Sequence, residues 1–265
     1  MLQLMIAVIK HRNTHPGSTR PLDARSLALS TLLGTHPPVL PGRSLVALAA
    51  LFGIAAGTMR TALSRLVAAG EVRLVDGRYE LAGPLLDRQH AQDTGRRAPA
   101  ADWNGWWHTV VVTDDRRPIG ERRRFRATMH RHRMGELRPD VWMRPANLAP
   151  PEVEPGWILT TGPIETGEPG QPTGSLWDLR SIATVAHSLL AELETLAADL
   201  DWTTPESIPP AFTVSASVVR FLRTEPLLPP ALVGADWPVE TLRLRYDEFE
   251  RRFQAALGAY LRTRG

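Results

Sequence analysis

The chain contains no cysteine, and Lys10 is the only lysine among its 31 basic residues. The lack of cysteine excludes disulfides, thiolate zinc sites and cysteine nucleophiles, and it fits a protein of the reducing cytoplasm. Several enzyme motifs are also missing, namely HExxH, GxSxG, Walker A and GxGxxG. The sequence therefore indicates no catalytic residue, no metal ligand and no cofactor, and we predict that the protein is not an enzyme.

No apolar run reaches the length of a membrane span. The apolar N-terminal stretch, residues 1–9, is too short, and basic residues follow it instead of preceding it as in a signal peptide. We therefore expect no membrane segment, a flexible N-terminus over residues 1–20 and a cytoplasmic location.

Charge is divided unevenly along the chain. Residues 1–135 carry 20 Lys+Arg and 10 Asp+Glu, whereas residues 136–265 carry 11 and 18. Such asymmetry favours a polyanionic partner at the basic end, although it does not say which polyanion.

Residues 54–81 show the clearest local pattern in the sequence. Apolar residues at helical spacing predict one buried helix face, and Gly70 is suited to end that helix; the residues are Met59, Ala62, Leu63, Leu66 and Val67. Beyond the glycine, alternating residues flank Asp76-Gly77, a pair that favours a two-residue type I′ turn. In the resulting hairpin Leu74 is expected to face Tyr79, and Arg73 to face Glu80.

Two further helices are predicted before this unit, over residues 22–33 and 44–52. Helix, helix, turn, helix and hairpin is the order of a winged helix-turn-helix, which would place a polar helix face in the major groove. The predicted DNA-binding residues are Thr58, Arg60, Thr61, Ser64 and Arg65 on the helix and Arg78 in the wing. The simpler alternative is a small packing unit with a solvated polar face.

The sequence divides into four predicted segments: 1–20, 21–100, 101–174 and 175–265. The second is the winged helix with a linker over its last residues. In the third, strands near 107–113, 141–143 and 157–161 surround a helix whose inward residues would be Ile119, Phe125 and Met129 and which ends near Gly135. This pattern suggests part of a ferredoxin-like α+β fold. The fourth is predicted to be helical over 176–200, 210–223 and 239–261, forming core and dimer scaffold.

Candidate chemistry in the third segment is sparse. Asp114 and Asp115 follow a strand and could hold Mg²⁺, but a solvated turn is the simpler interpretation because no further ligand spacing accompanies them. His130 and His132 are interpreted as surface residues. Six arginines crowd the predicted helix, and a solvated surface is favoured over a phosphate site; they are Arg122, Arg123, Arg124, Arg126, Arg131 and Arg133. The tryptophans are expected mainly to fill cores.

In the order and spacing of several motifs, the chain from about 21 to 261 resembles the PaaX family of bacterial repressors. The motifs are Arg60-Thr61-Ala62-Leu63-Ser64-Arg65-Leu66, Trp103-x-Gly-Trp106, Leu137-x-Pro-x-Val-Trp142-x-Arg-Pro145, Trp177-Asp178-Leu179 and the 226–238 segment with Trp237. The resemblance implies a homodimeric repressor with an N-terminal winged helix, a Cas2-like middle domain and a helical C-terminal domain.

The resemblance also implies release from DNA by an acyl-CoA such as phenylacetyl-CoA. We expect Arg122 and Arg126 near its phosphates and Trp106 or Trp142 beside its acyl group. Two positions depart from the family pattern. Ala55 stands where Asn or Ser often caps the reader helix, a loss of about 1 kcal/mol, and Glu225 stands where Asp usually precedes Pro226. The alternatives are a Cas2-like metal-dependent nuclease using the aspartate pair and a scaffold that binds nucleic acid without sequence preference.

Overall fold

The computed structural model describes residues 22–97, 103–114, 117–166 and 172–264. The predicted flexible N-terminus, Asp115 and the end of the predicted linker lie outside these residues. The first unit contains α1 (Ala24–Leu33), β1 (Val39–Pro41), α2 (Gly42–Leu51), α3 (Ala56–Ala68), β2 (Val72–Val75) and β3 (Arg78–Leu81). This order of helices and hairpin agrees with the sequence prediction, except that β1 was not expected.

Strand β1 lies at the edge of a three-stranded sheet of order β1-β3-β2. It pairs antiparallel with β3, so that Val39 lies opposite Glu80 and Pro41 opposite Arg78. Proline removes a backbone donor and is tolerated at a sheet edge. The prolines at 37, 38 and 41 therefore concealed a strand that a search for alternating residues does not detect.

The hairpin has the predicted register. Arg73 pairs with Glu80 and Leu74 with Tyr79. Asp76 and Gly77 in the turn have φ values of 50° and 74°, as a type I′ turn requires. Local sequence was sufficient here because turn geometry fixes the register of the two strands.

Helix α4 (Pro84–Arg96) occupies most of the segment predicted to be a helix end and linker. The helix lacks a strong apolar stripe in its sequence, and polar contacts help to anchor it. Gln89 is buried and donates to the carbonyls of Leu33 and Thr35 at 3.1 and 3.0 Å. Gly95 allows α4 to lie against another helix, since a Cβ there would stand 2.2 Å from the Leu222 carbonyl oxygen.

The middle unit contains β4 (Trp107–Val112), α5 (Ile119–Arg131), β5 (Gly135–Arg138), β6 (Val141–Pro145) and β7 (Trp157–Gly162). Its antiparallel sheet has the order β5-β6-β4-β7. The three predicted strands are present and β5 is additional. Residues 146–156, between β6 and β7, contain no helix, so the chain follows β-α-β-β-β here and the second crossover helix of a ferredoxin-like fold is missing.

Helix α5 covers one face of this sheet. Phe125 and Met129 are buried as predicted, together with Val110 and Trp142 from the strands. Ile119, in contrast, is 64% exposed, because it starts the helix beyond the edge of the contact. The helix ends at Arg131, earlier than predicted, since Gly135 already belongs to β5.

The last unit is helical, as predicted, with α6 (Thr173–Leu176), α7 (Leu179–Asp199), α8 (Ile208–Thr224) and α9 (Pro238–Arg264). Its buried side chains form one continuous cluster with those of α1, α2 and α3. Phe52 meets Phe212 edge to face at 5.4 Å, and the Tyr260 hydroxyl donates to the Ala47 carbonyl at 3.0 Å. The N-terminal unit and the C-terminal helices thus share a core. The predicted domain boundaries stay predictions.

Candidate nucleic-acid interface

Helix α3 separates its residues into a buried and an exposed face. Met59, Leu63 and Leu66 are at most 1% exposed and hold the helix against the shared core. The five residues predicted to read DNA all lie on the exposed side: Thr58, Arg60, Thr61, Ser64 and Arg65. Val67 was predicted to be buried but is 36% exposed, because it lies at the margin of the contact. The exposed face therefore combines two guanidiniums, three hydroxyls and a small apolar patch.

Two of these hydroxyls are held against the backbone of the helix. Thr61 Oγ1 donates to the Gly57 carbonyl at 2.9 Å, and Ser64 Oγ donates to the Arg60 carbonyl at 3.1 Å. Each hydroxyl oxygen keeps its acceptor capacity, since a hydroxyl has one donor and two lone pairs. In these positions Thr61 and Ser64 can accept from amino groups of bases.

The first turn of α3 has no side-chain cap. Ala55 adopts an extended conformation before the helix and provides no hydrogen bond to it. This agrees with the expectation from sequence that Ala55 caps poorly. The first backbone N–H groups of a helix have no partner within it, so in α3 they stay available to an acceptor outside the chain.

The hairpin adds basic and apolar groups beside α3. Arg78 is exposed at the turn, and Arg73 forms a 3.6 Å ion pair with Glu80 on the outer side. Leu74 and Val75 are 52% and 44% exposed. The apolar side of the hairpin is thus buried only at its base, and its tip extends into solvent.

Arg43 is a candidate that sequence analysis did not single out. It is exposed in the first turn of α2, and the backbone N–H of neighbouring Gly42 donates to the Gly77 carbonyl in the hairpin turn at 3.4 Å. A Cβ at residue 42 would stand 2.9 Å from the ring of Tyr79, so glycine permits this contact. Strand β1, hidden by prolines in the sequence, brings Arg43 and Arg78 to the same end of the unit.

The residues predicted to bind an effector are not assembled into one pocket. Trp142 is 1% exposed, packed between Phe125 and His130 under α5. Arg126 lies over the Trp142 ring at 5.9 Å and forms a 3.0 Å ion pair with Glu136. Trp142 is therefore enclosed between sheet and helix, whereas the Arg126 side chain is 42% exposed and pairs with Glu136.

Trp106 and Arg122 differ from that pair, since both are exposed. Trp106 precedes β4, whereas Trp142 pairs with Val110 further along the same strand. Four residues of extended chain separate these positions by roughly 13 Å. Trp106 and Trp142 accordingly lie at separate positions along the sheet and would not contact the same ring.

Arg133 does not lie on the surface of α5, where the sequence placed it. It follows the helix, is 6% exposed and has a φ of 58°. Its guanidinium donates to the carbonyls of Leu222 at 3.1 Å and Ala91 at 3.3 Å, and also to the Glu225 carbonyl. Burial lowers its pKa to about 10, and the Glu225 carboxylate opposes that shift.

Glu225 is the centre of a buried junction between the middle sheet and the helices. Its carboxylate accepts from the Arg243 guanidinium and, at 2.9 Å, from the Leu227 backbone N–H. Asn147, after β6, donates to the Leu227 carbonyl at 2.8 Å, and Arg144 donates to Asn147 Oδ1 at 3.2 Å. Burial raises the pKa of the Glu225 carboxyl, and both Arg243 and Arg133 act against this rise.

Of the two histidines at the end of α5, His130 is exposed, as the sequence indicated, and His132 is less exposed than expected. The ring of His130 lies edge to face with Trp142 at 5.1 Å, and His132 is partly buried. Burial lowers the pKa of both side chains, with Arg126 adding to the effect on His130 and Arg144 on His132.

A polar cleft of about 530 Å³ lies between the turn after α1, the end of α4 and α9. His36 and Asp93 form a 3.0 Å ion pair at its rim. The remaining lining residues are Arg96, Arg97, Glu240, Arg243, Leu244 and Asp247. Its volume is that of a small-molecule site, but its walls are charged and not apolar.

Comparison with known proteins identifies the family. The family model described as PaaX-like protein matches residues 23–84, the segment that carries α1 to the hairpin. A solved structure entitled "Uncharacterized protein Rv0674 from Mycobacterium tuberculosis" is 36% identical, covers 90% of this chain and 98% of its own chain, and superposes with a TM-score of 0.69. The chain belongs to the PaaX-like family. Membership indicates a role in transcriptional regulation, consistent with a protein that is not an enzyme.

No curated protein sequence matches this PaaX-like chain. Its fold is mixed α+β with two small sheets and a C-terminal helical region. In the residues that the structure describes, no helix is both long and apolar enough to cross a bilayer.

Asp114 is exposed just beyond β4, and Asp115 lies outside the described residues. Within residues 22–97, 103–114, 117–166 and 172–264, no three His, Asp or Glu side chains are grouped as metal ligands. No observation favours the nuclease alternative over the regulator role that the family indicates.

Proposed function

We propose that this PaaX-like protein is a sequence-specific DNA-binding repressor whose residues 22–81 act as a winged helix-turn-helix. The observation that carries the proposal is the exposed polar face of α3, which stands on a fully buried apolar face. A helix fits the major groove, where guanidinium bonds guanine bidentately and hydroxyls bond bases or phosphates. Arg60 and Arg65 would carry most of the base readout, and Thr58, Thr61 and Ser64 would complete it.

The hairpin and α2 would position this helix on the duplex. Arg78 at the turn and Arg43 beside it are exposed at one end of the unit, where two phosphates of the backbone can be bound together. Contacts to phosphates fix register without reading sequence. The uncapped amides of α3 add a favourable environment for a third phosphate.

A homodimer would read an inverted repeat. Each half-site would receive one α3, and half-sites would lie about one helical turn, or a multiple, apart. Release of the dimer by an aromatic acyl-CoA is the second part of the proposal. Isothermal calorimetry with a panel of acyl-CoAs tests it, and absence of heat for every aromatic thioester would remove this class of effector.

The DNA-binding proposal is tested by fluorescence anisotropy on the protein's own promoter DNA at fixed salt. Tight binding that resists random competitor DNA is the expected result, and loss of signal on adding phenylacetyl-CoA would support the effector as well. Binding indifferent to competitor sequence would instead favour the scaffold alternative.

The matched variants are Arg65→Ala and Arg245→Ala. Both arginines are exposed, but Arg65 lies on α3 and Arg245 pairs with Glu194 on the helical unit. Arg65→Ala should lower operator affinity by about 1–3 kcal/mol, while Arg245→Ala should leave it unchanged. If a folded Arg65→Ala protein bound the operator with the affinity of wild type, Arg65 would be excluded from base recognition.

A further inference from the structure

Helix α5 carries a basic surface that the DNA-binding unit does not explain. Its 13 residues include five arginines and one glutamate. Arg122, Arg123, Arg124 and Arg131 are exposed, whereas Arg126 is turned toward Glu136 and Trp142. We name the exposed set Arg122, Arg123 and Arg124 the α5 arginine surface.

Two exposed arginines of the helical unit have acidic neighbours. On α9, Arg245 lies 3.4 Å from Glu194 and Arg252 lies 3.8 Å from Glu248. On α5, in contrast, Arg124 has a loose 3.9 Å contact with Glu121, and no carboxylate of the described residues forms an ion pair with Arg122 or Arg123. Like charges on consecutive residues lie close enough to repel one another. An unbalanced cluster of this kind lowers its energy when phosphates approach it.

We propose that the α5 arginine surface binds backbone phosphates of double-stranded DNA that flanks the operator. This inference rests on the DNA-binding function proposed above and extends the interface to the middle unit. Charge complementarity favours this partner, because three adjacent guanidiniums with one loose carboxylate contact among them carry a net positive charge that phosphates can neutralise. The exposed Ile119 and the loose Glu121 contact leave this surface open.

The position of α5 places this surface within reach of flanking DNA. Arg133, just after α5, donates to the Ala91 carbonyl of α4, and α4 begins at Pro84, directly after the hairpin. Seven residues of helix from Pro84 to Ala91 span about 10 Å, and α5 itself spans about 20 Å. One turn of B-DNA is about 34 Å long. The sum of these two lengths is smaller than one turn, so a duplex extended by one turn beyond the operator is long enough for the proposed contact.

The test compares wild type, R122Q/R123Q/R124Q and the charge-matched control R245Q/R251Q/R252Q from α9. Each protein is titrated, over a salt series, on the footprinted operator alone and on the operator extended by one helical turn on each side. For wild type and control we expect tighter binding and a steeper salt slope on the extended duplex. The α5 variant should lose that gain, with a slope smaller by about 2.7 per protomer, since each phosphate contributes about 0.9.

Several outcomes would overturn the inference. If the α5 variant gains as much affinity from the extended duplex as wild type does, the α5 arginine surface contacts only solvent. A variant that binds both duplexes like wild type but no longer binds coenzyme A in calorimetry would assign the arginines to a nucleotide ligand. Failure of the DNA-binding proposal itself looks different, because no protein would then prefer the operator to random DNA. Circular dichroism of each variant confirms that the helices are intact.

Discussion

Arginine occurs in two opposite settings in this protein. On α3, Arg60 and Arg65 are exposed, and their guanidiniums are directed away from the core. At the junction, Arg133, Arg144 and Arg243 are at most 6% exposed, and they donate to backbone carbonyls, Asn147 and Glu225. Exposed arginines cost the fold little and are available to a ligand, whereas buried ones must satisfy every donor internally. The same residue type should therefore affect binding in one region and folding in the other.

The junction is most sensitive at Glu225. Glu225→Gln would remove the carboxylate and leave Arg133 and Arg243 buried without it, so we expect a loss of about 3–5 kcal/mol in the free energy of unfolding. Urea denaturation measures this loss. The control is Glu194→Gln, which breaks an exposed pair with Arg245 and should cost under about 1 kcal/mol. Similar costs for the two variants would contradict the contrast between buried and exposed charge.

Gly95 provides a steric test of the same junction. A Cβ at this position would lie 2.2 Å from the Leu222 carbonyl oxygen and 3.0 Å from the Arg133 guanidinium. Gly95→Ala should therefore separate α4 from α8 and destabilise the protein by about 1–3 kcal/mol. Gly57→Ala is the control, because no heavy atom lies within 4 Å of a Cβ there. A Gly95→Ala protein as stable as Gly57→Ala in thermal unfolding would show that the helices are not tightly apposed.

The exposed face of α3 is tested with a substitution that keeps the positive charge and changes the shape of the side chain. Arg65→Lys retains a cation but loses the planar fork that bonds guanine bidentately. Discrimination between operator and random DNA should fall by about 1–3 kcal/mol, with the free energy of unfolding nearly unchanged. Competition titrations measure the first quantity and urea denaturation the second. Full retention of specificity by Arg65→Lys would make Arg65 a phosphate contact and not a base contact.

The smallest effect concerns an exposed acid with a purely local role. Asp178 caps α7 by accepting from the Ser181 backbone N–H at 2.9 Å and from its hydroxyl at 2.8 Å. These bonds lower the pKa of Asp178, so its contribution is present above the unfolded pKa and is lost as pH falls through the lowered folded value.

At pH 7, Asp178→Asn should change the free energy of unfolding by no more than about 0.5 kcal/mol, because asparagine also caps helices. It should remove the loss of stability that protonation of Asp178 causes at low pH. Urea midpoints between pH 2 and 7 compare it with wild type. Parallel pH curves for the two proteins would show that the cap bonds do not depend on ionisation of Asp178.

Much of the local structure could be predicted from the sequence. The buried face of α3 and the register of Arg73 with Glu80 both depend on residues close together in the chain. Short-range periodicity and turn chemistry specify such features directly. The same holds for the polar surface of α3, since residues opposite a buried stripe must be exposed.

Other features could not be predicted because their partners are distant in the chain. Helix α4 looked like a linker, because its buried Gln89 pairs with two carbonyls more than 50 residues away. Arg133 was assigned to a solvated helix, although its partners lie near residues 91 and 222. Trp142 was expected beside a ligand, but α5 and β5 enclose it.

The sequence by itself determined α1, α2, α3, the hairpin and the exposed composition of α3, because each follows from contacts within a few residues. Only the tertiary structure decided which arginines are available. Whether a guanidinium meets water or a buried carboxylate depends on how α4, α8 and the middle sheet come together, and no local pattern encodes that arrangement.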